Sequence, residues 1–231
     1  MIAVCGSGVA GLAATLACVR NQKQVLFVAG SKPTTSQPGG VQIAPNGWAA
    51  LDQLGVASKA KKLATDLNAI YVRDIQTGST MANLDLSAVN YASISRDDLT
   101  SLLESEISKN GGATRIDSNI THVTQTNTSE DKTLEIIIDA DSSHDIDALI
   151  AADGLKGFGR QYIHGLELNP SLLSGTERVA LRAVANASDL PRFFSQPFCN
   201  LWLGNGVHFV HYPINGGADI NLVFTLDASS V

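Results

Sequence analysis

The stretch Gly6-Ser7-Gly8-Val9-Ala10-Gly11 decides how the rest of the chain is read. Four small or apolar residues, Ile2-Ala3-Val4-Cys5, lead into it and predict a short buried parallel strand. Leu12, Leu16 and Val19 then recur at helical spacing on an Ala-rich segment that runs to about Arg20, and Val25-Leu26-Phe27-Val28 supplies a second buried strand. Strand, glycine turn, helix and strand make a βαβ unit with G-x-G-x-x-G in the place dinucleotide binding requires. Gly6 is expected to permit the tight turn, Gly8 to let a pyrophosphate approach the backbone, and Gly11 to let the helix lie close. The N–H groups of Val9 and Ala10 open the helix, whose positive dipole end suits the phosphates. One part of the pattern is missing. The second strand of such a unit ordinarily ends in Asp or Glu to hold a ribose, and here that place is Ala29, followed by Gly30, Ser31 and Lys32. Ser31 or the backbone could hold the ribose instead, and a 2′-phosphate beside Lys32 would favour NADP.

The chain has 231 residues, enough for a sizeable core in one large or two small domains. Hydrophobic residues make up 44% and charged residues 16%, and no apolar run is long enough to span a bilayer. A net charge of −6 argues against nucleic acid as a partner. Cys5, Cys18 and Cys199 are odd in number and lack metal-ligand spacing, so the expectation is core thiols, no metal site and a cytoplasmic setting.

Downstream, Pro38, Gly39 and Gly40 close a polar loop at the carboxyl end of the second strand, the ligand side of an open α/β sheet. Val41 opens the next apolar stretch. Helices are predicted over 47–54, with Trp48 as packing, and over 57–67, with Lys59, Lys61 and Lys62 on a solvated face. Strands are predicted over 69–73 and 80–86 around a turn at Thr77-Gly78. Ser95 caps a helix striped by Leu99, Leu102, Leu103 and Ile107. Arg96, a cation in that helix's first turn, opposes the dipole and is either solvated or placed for an anion. Strands over 114–123 and 134–138 flank a polar turn, and a buried strand over 146–152 ends in Asp153-Gly154, an acid at a strand's carboxyl end. A turn-making Asp-Gly pair is the competing reading.

From Gly165 the pattern becomes β-rich, with strands expected over 178–184, 199–203, 207–212 and 219–225. In Val207-His208-Phe209-Val210-His211-Tyr212, period two puts His208, Val210 and Tyr212 on one face and His211 on the other, a poor metal site. A His and a Tyr on one face can bind and deprotonate a phenol.

The order of these pieces resembles the flavin-dependent aromatic hydroxylases, the single-component FAD monooxygenases that include salicylate and 3-hydroxybenzoate hydroxylases. The similar segments are GSGVAGLAATLA (6–17), PGGVQIAPNGWAALDQLGV (38–56), SRDDLTSLL (95–103), AADGLKGFGR (151–160) and HFVHYPINGG (208–217). The resemblance implies an α/β fold, in which a Rossmann-like FAD-binding domain over 1–69 and 95–165 is interleaved with a β-sheet substrate domain over 70–94 and 166–231. It implies that Gly6, Gly8, Val9, Ala10, Gly11, Gly40, Val41 and Arg96 contact FAD. Asp153 and Gly154 would form the family's Asp-Gly motif, supported by Arg160. His208 and Tyr212 fall where relatives place substrate-phenol contacts. NADH or NADPH would be the co-substrate, and O₂ would form a flavin C4a-hydroperoxide that hydroxylates a small aromatic ring; a homodimer is compatible with it.

Three departures accompany the resemblance. Ala29 stands for the acid, Gly157 for a serine common in the Asp-Gly motif, and the family's later Gly-Asp motif is not found before Val231. The expectation is therefore the first portion of such an enzyme, inactive alone. Two other readings stay open: a hydroxylase of ubiquinone precursors, with Phe193, Phe194, Phe198 and Trp202 lining its site, and a non-catalytic nucleotide-binding module. A short-chain dehydrogenase would need Tyr-x-x-x-Lys, and Tyr71, Tyr91, Tyr162 and Tyr212 all lack the lysine.

Overall fold

The computed structural model describes residues 1–30, 39–127, 132–139, 142–155, 157–165 and 177–230. The chain begins with β1 (Ile2–Cys5), α1 (Val9–Arg20) and β2 (Val25–Val28), followed by β3 (Gly40–Ile43), α2 (Pro45–Gln53), α3 (Ala57–Leu63) and β4 (Thr65–Asp66). Next come β5 (Ala69–Asp74), β6 (Thr80–Asp85), β7 (Ala92–Ser95), α4 (Arg96–Asn110), β8 (Ala113–Ile116), β9 (Ile120–Asn127) and β10 (Lys132–Ile138). The remainder is β11 (Ser142–Ile146), β12 (Ala148–Ala151), α5 (Phe158–His164), β13 (Arg178–Asn186), β14 (Phe198–Gly204), β15 (Val207–Ile214) and β16 (Asp219–Asp227). Among the described residues no helix is long and apolar enough to cross a membrane.

Two compact units result. The first comprises Met1–Ser36 and Thr100–Ser174, the second Gln37–Leu99 and Gly175–Val231. These limits differ from the functional division expected from sequence, because 37–69 and 95–99 fall in the second unit. Backbone pairing explains the difference: β3 pairs with β7, and β5 with β14.

In the first unit the βαβ start builds a four-stranded sheet in the order β12-β1-β2-β8, with every pairing parallel. A parallel sheet must be covered. The antiparallel meander β11-β10-β9 covers it, with Ile120, Ile136, Ile138 and Ile146 clustering on Ala3, Cys5, Leu26 and Val28. Two sequence expectations are corrected here. The strand over 114–123 is two strands in different sheets, β8 and β9, separated by a turn in which Gly30 N–H donates to the Ser118 carbonyl. The strand over 146–152 likewise changes sheet at Asp147, ending β11 beside β10 and beginning β12 beside β1.

The second unit holds a six-stranded sheet, β13-β16-β15-β14-β5-β6, and a three-stranded one, β3-β7-β4. Leu67, Leu86, Cys199, Tyr212 and Ile214 form its buried cluster. The helix expected over 57–67 stops at Leu63: Ala64 is extended, and Thr65 and Asp66 pair with Ser93 and Ala92 instead. Lys61, expected on a solvated face, bonds Asp66 at 2.6 Å and lies 5.2 Å from the Trp48 ring, which is buried as packing.

Candidate cofactor crevice and substrate face

At the carboxyl ends of β1, β2 and β12 the first unit opens into a crevice of about 640 Å³, lined by Gly6, Gly8, Gly30, Asn119, Asp153 and Gln161 among others. The three motif glycines serve different ends. Gly6 has φ +109°, and a Cβ there would lie 2.2 Å from the Ala152 carbonyl oxygen, so the turn passes β12 only as glycine. A Cβ on Gly11 would lie 1.8 Å from the Gly6 carbonyl oxygen, so that glycine packs α1 under the turn itself. A Cβ on Gly8 would meet nothing within 4 Å. The protein's own packing does not require glycine at that position, and Gly8 lines the crevice beside the start of α1.

Gly8 caps α1 with extended backbone and no side-chain bond, and the helix's first turn carries no acid. Its amino end therefore keeps its positive field for an anion. Val9 is half-buried and Ala10 exposed. Ala10 shares a shallower cavity of about 400 Å³ with Asp153, Gly154, Arg160 and Ile163. Asp153 accepts from the Gly159 N–H at 2.9 Å and faces the Cys5 thiol at 3.7 Å. Burial first, then the Asp153 carboxylate, push that thiol up to about 12, so it stays protonated.

The missing acid is real in the structure. Ala29 is buried, its N–H tied to the Ile116 carbonyl, and among the described residues Asn119, from the β8–β9 turn, brings a polar side chain to that side of the crevice. Ser31, Lys32 and the loop 33–38 lie outside the described residues. Sequence reading missed Asn119 and Gln161, because each reaches the crevice from a segment with no motif of its own. The glycines, the unguarded helix end and the absence of a competing acid at Ala29 fit a dinucleotide's diphosphate.

The remaining expected residues lie in the second unit. The Gly40 N–H donates to Asn221 Oδ1 at 2.8 Å, and a Cβ on Gly40 would lie 2.6 Å from the Tyr212 ring. Val41 pairs with Ile94 in the small sheet. Arg96 is exposed at the start of α4, its backbone N–H donating to the Gly39 carbonyl. His208 and Tyr212 share a face of β15, as period two requires. Four residues apart on β15, they are separated by about 13 Å along the strand. Tyr212 is buried, and burial, with Cys199 adding, pushes its phenol up to about 12. A phenol so placed stays protonated near neutral pH.

On the same face, two strands away and level with Val210, stands Arg182, exposed and without a hydrogen bond or ion pair among the described residues. Nothing in the local sequence marked it, since only the β13–β16–β15 register brings it to that face. The aromatics expected to line a hydrophobic substrate site sit on the opposite face. Trp202 pairs with Phe209, and Phe193, Phe194 and Trp202 gather around buried His211, with Phe194 at 4.6 Å. Phe198 meets Tyr71 edge-on at 5.1 Å.

The chain is 28% identical to 3-hydroxybenzoate 6-hydroxylase 1 of Aquipseudomonas alcaligenes, over 99% of this chain and 58% of that protein. It is 29% identical to 3-hydroxybenzoate 6-hydroxylase of Klebsiella oxytoca, over 96% of this chain and 56% of that protein. Among solved structures, a salicylate hydroxylase substrate complex superposes with a TM-score of 0.75 at 21% identity, over 100% of this chain and 56% of that one. Klebsiella pneumoniae HpxO, solved with FAD and uric acid, gives 0.76 at 17% identity, over 98% and 56%. The chain thus spans a little over half the length of these relatives. The model of the FAD binding domain matches residues 1–228, and with the resemblance to flavin-dependent aromatic hydroxylases borne out, the chain belongs to the FAD-binding domain family.

Proposed function

We propose that the chain forms the FAD-binding and substrate-holding part of an aromatic-ring monooxygenase that uses NADH or NADPH and O₂. The observation that carries the cofactor reading is Gly8, a glycine that no packing demands, at the open amino end of α1 in the crevice. Gly6, Gly8 and Gly11, with the N–H groups of Val9 and Ala10, would receive the diphosphate of FAD, and Asp153, Gly154 and Arg160 would border it. Gly40, Val41 and Arg96 belong to the same reading as further cofactor contacts. FAD, when bound, supplies the oxidation–reduction chemistry; the chain supplies orientation and exclusion of water.

On the substrate face, Tyr212, kept protonated by burial, would donate a hydrogen bond to a substrate, and His208 would be the group to take a proton from a phenol. Arg182 offers a charge to a carboxylate. Together they suit a hydroxybenzoate, the substrate named for the Aquipseudomonas and Klebsiella relatives. The free thiols of Cys5, Cys18 and Cys199 suit a reducing cytoplasm.

The test is titration of the purified chain with FAD, followed by quenching of flavin fluorescence, then addition of NADH with and without 3-hydroxybenzoate. Saturable quenching supports the crevice reading, and faster flavin bleaching with the acid present supports the substrate reading. Fluorescence that stays that of free FAD refutes the first. Bleaching indifferent to the acid refutes the second.

A further inference from the structure

Asp153 has a carboxylate in the same crevice as the helix end that favours an anion, and two negative groups there repel unless one is drawn back. The structure fixes where that carboxylate sits. Both bonds to Asp153, from the Gly159 N–H at 2.9 Å and from the Cys5 thiol at 3.7 Å, go to Oδ2, and nothing among the described residues bonds Oδ1. The space the carboxylate occupies exists because residue 157 is glycine. A Cβ there would lie 2.1 Å from Asp153 Cγ and 2.3 Å from Oδ1.

Resting on the cofactor reading above, we propose that Cys5 is a positioning residue of the cofactor site: its thiol and the Gly159 N–H hold the Asp153 carboxylate in the space left by Gly157, leaving Oδ1 as an acceptor at the crevice. The thiol suits the task because it is buried at the end of β1, where the strand fixes its direction, and it remains a neutral donor. A side chain at 157 would displace the carboxylate from that space.

The pair is tested without any cofactor. The S–H stretching band of Cys5, assigned by subtracting the infrared spectrum of Cys5→Ser, is expected at the low frequency of a thiol bonded to a carboxylate. It should move to that of an unbonded thiol in Asp153→Ala, and likewise in Gly157→Ala, which leaves both partners in the chain. A Cys5 band unmoved by Asp153→Ala overturns the proposal. The role in the site is tested by FAD titration: Cys5→Ala should raise Kd roughly five- to tenfold, the worth of one modest hydrogen bond, whereas Cys5→Ser, which keeps a donor, should stay within about twofold. Cys5→Ser as weak as Cys5→Ala, or Cys5→Ala as tight as the parent, overturns it too. Should the parent chain take up no FAD, the cofactor reading fails while the infrared comparison still decides the pair.

Discussion

Adding one methyl at Gly8 and one at Gly11 separates binding from folding. At Gly8 the backbone is φ −74°, ψ 175°, an ordinary extended conformation, and a Cβ meets nothing within 4 Å. Gly8→Ala should therefore leave stability unchanged or raise it by about 0.4–1 kcal/mol through the unfolded chain's lost freedom. The same methyl stands between the helix's amino end and the proposed diphosphate. Pushing an anion off one or two N–H donors costs about 1.5–3 kcal/mol, a roughly ten- to hundredfold rise in Kd. At Gly11 the methyl would lie 1.8 Å from the Gly6 carbonyl oxygen, which is backbone and cannot swing aside. Gly11→Ala must shift α1 or the turn, at about 1–3 kcal/mol, and each kcal/mol should lower Tm by about 2–4 °C in a domain this size. The assay is a thermal melt without FAD beside a fluorescence titration with it. The reasoning is refuted if Gly8→Ala binds FAD as tightly as the parent chain, or if the two variants melt alike.

Gly40→Ala should cost about 1–3 kcal/mol in urea unfolding, because its Cβ would come within 2.6 Å of Tyr212 and 2.9 Å of Ile214. Arg182→Gln should leave the melt within about 0.5 kcal/mol but remove any preference for 3-hydroxybenzoate over 3-methylphenol in a binding titration. The pH dependence is set in part by His211, whose pKa is pushed down to about 4, first by burial and then by the Arg73 charge. An unfolded histidine takes a proton near 6.5, so the unfolded chain gains protons before the folded one as pH falls. The full stability is present above pH 6.5, and up to about 3 kcal/mol is lost as pH falls toward 4. His211→Leu should flatten that slope. It should cost little at neutral pH, since both ring nitrogens are buried without a partner among the described residues; an unchanged slope in urea unfolding between pH 7 and 5 would contradict the assignment.

The βαβ start was legible because its signal is local: three glycines, two apolar tetrads and a helical stripe lie within one stretch, and the structure places all of them as expected. The four C-terminal strands were legible for the same reason, each bounded by its own turn residues. What sequence could not give was partnership. Nothing in Ile116 or Ile120 says that one belongs to a parallel sheet and the other to a meander, since both are apolar residues near a turn. The same holds at Asp147. Site residues divided along that line too. The glycines and Asp153 carry their meaning in a motif, whereas Asn119, Gln161, Cys5 and Arg182 acquire theirs only from strand order and register.

The absent acid at Ala29 and the position of Asp153 bear on one question, which is where a dinucleotide would be gripped. An acid at the end of β2 normally places a charge in the crevice to hold a ribose, and the diphosphate must tolerate it. Among the described residues that wall carries no charge, with Ala29 buried and Asn119 supplying an amide. The crevice's carboxylate is held by two donors to one of its oxygens. The helix end, without an acid in its first turn, therefore acts on the ligand with little opposing charge. On the proposed reading, binding in such a crevice is expected to rest on the diphosphate more than on the sugar. Charge at the crevice is thereby a stronger lever on affinity than hydroxyl recognition, and the glycine that leaves that charge exposed, Gly8, is the residue on which the cofactor assignment turns.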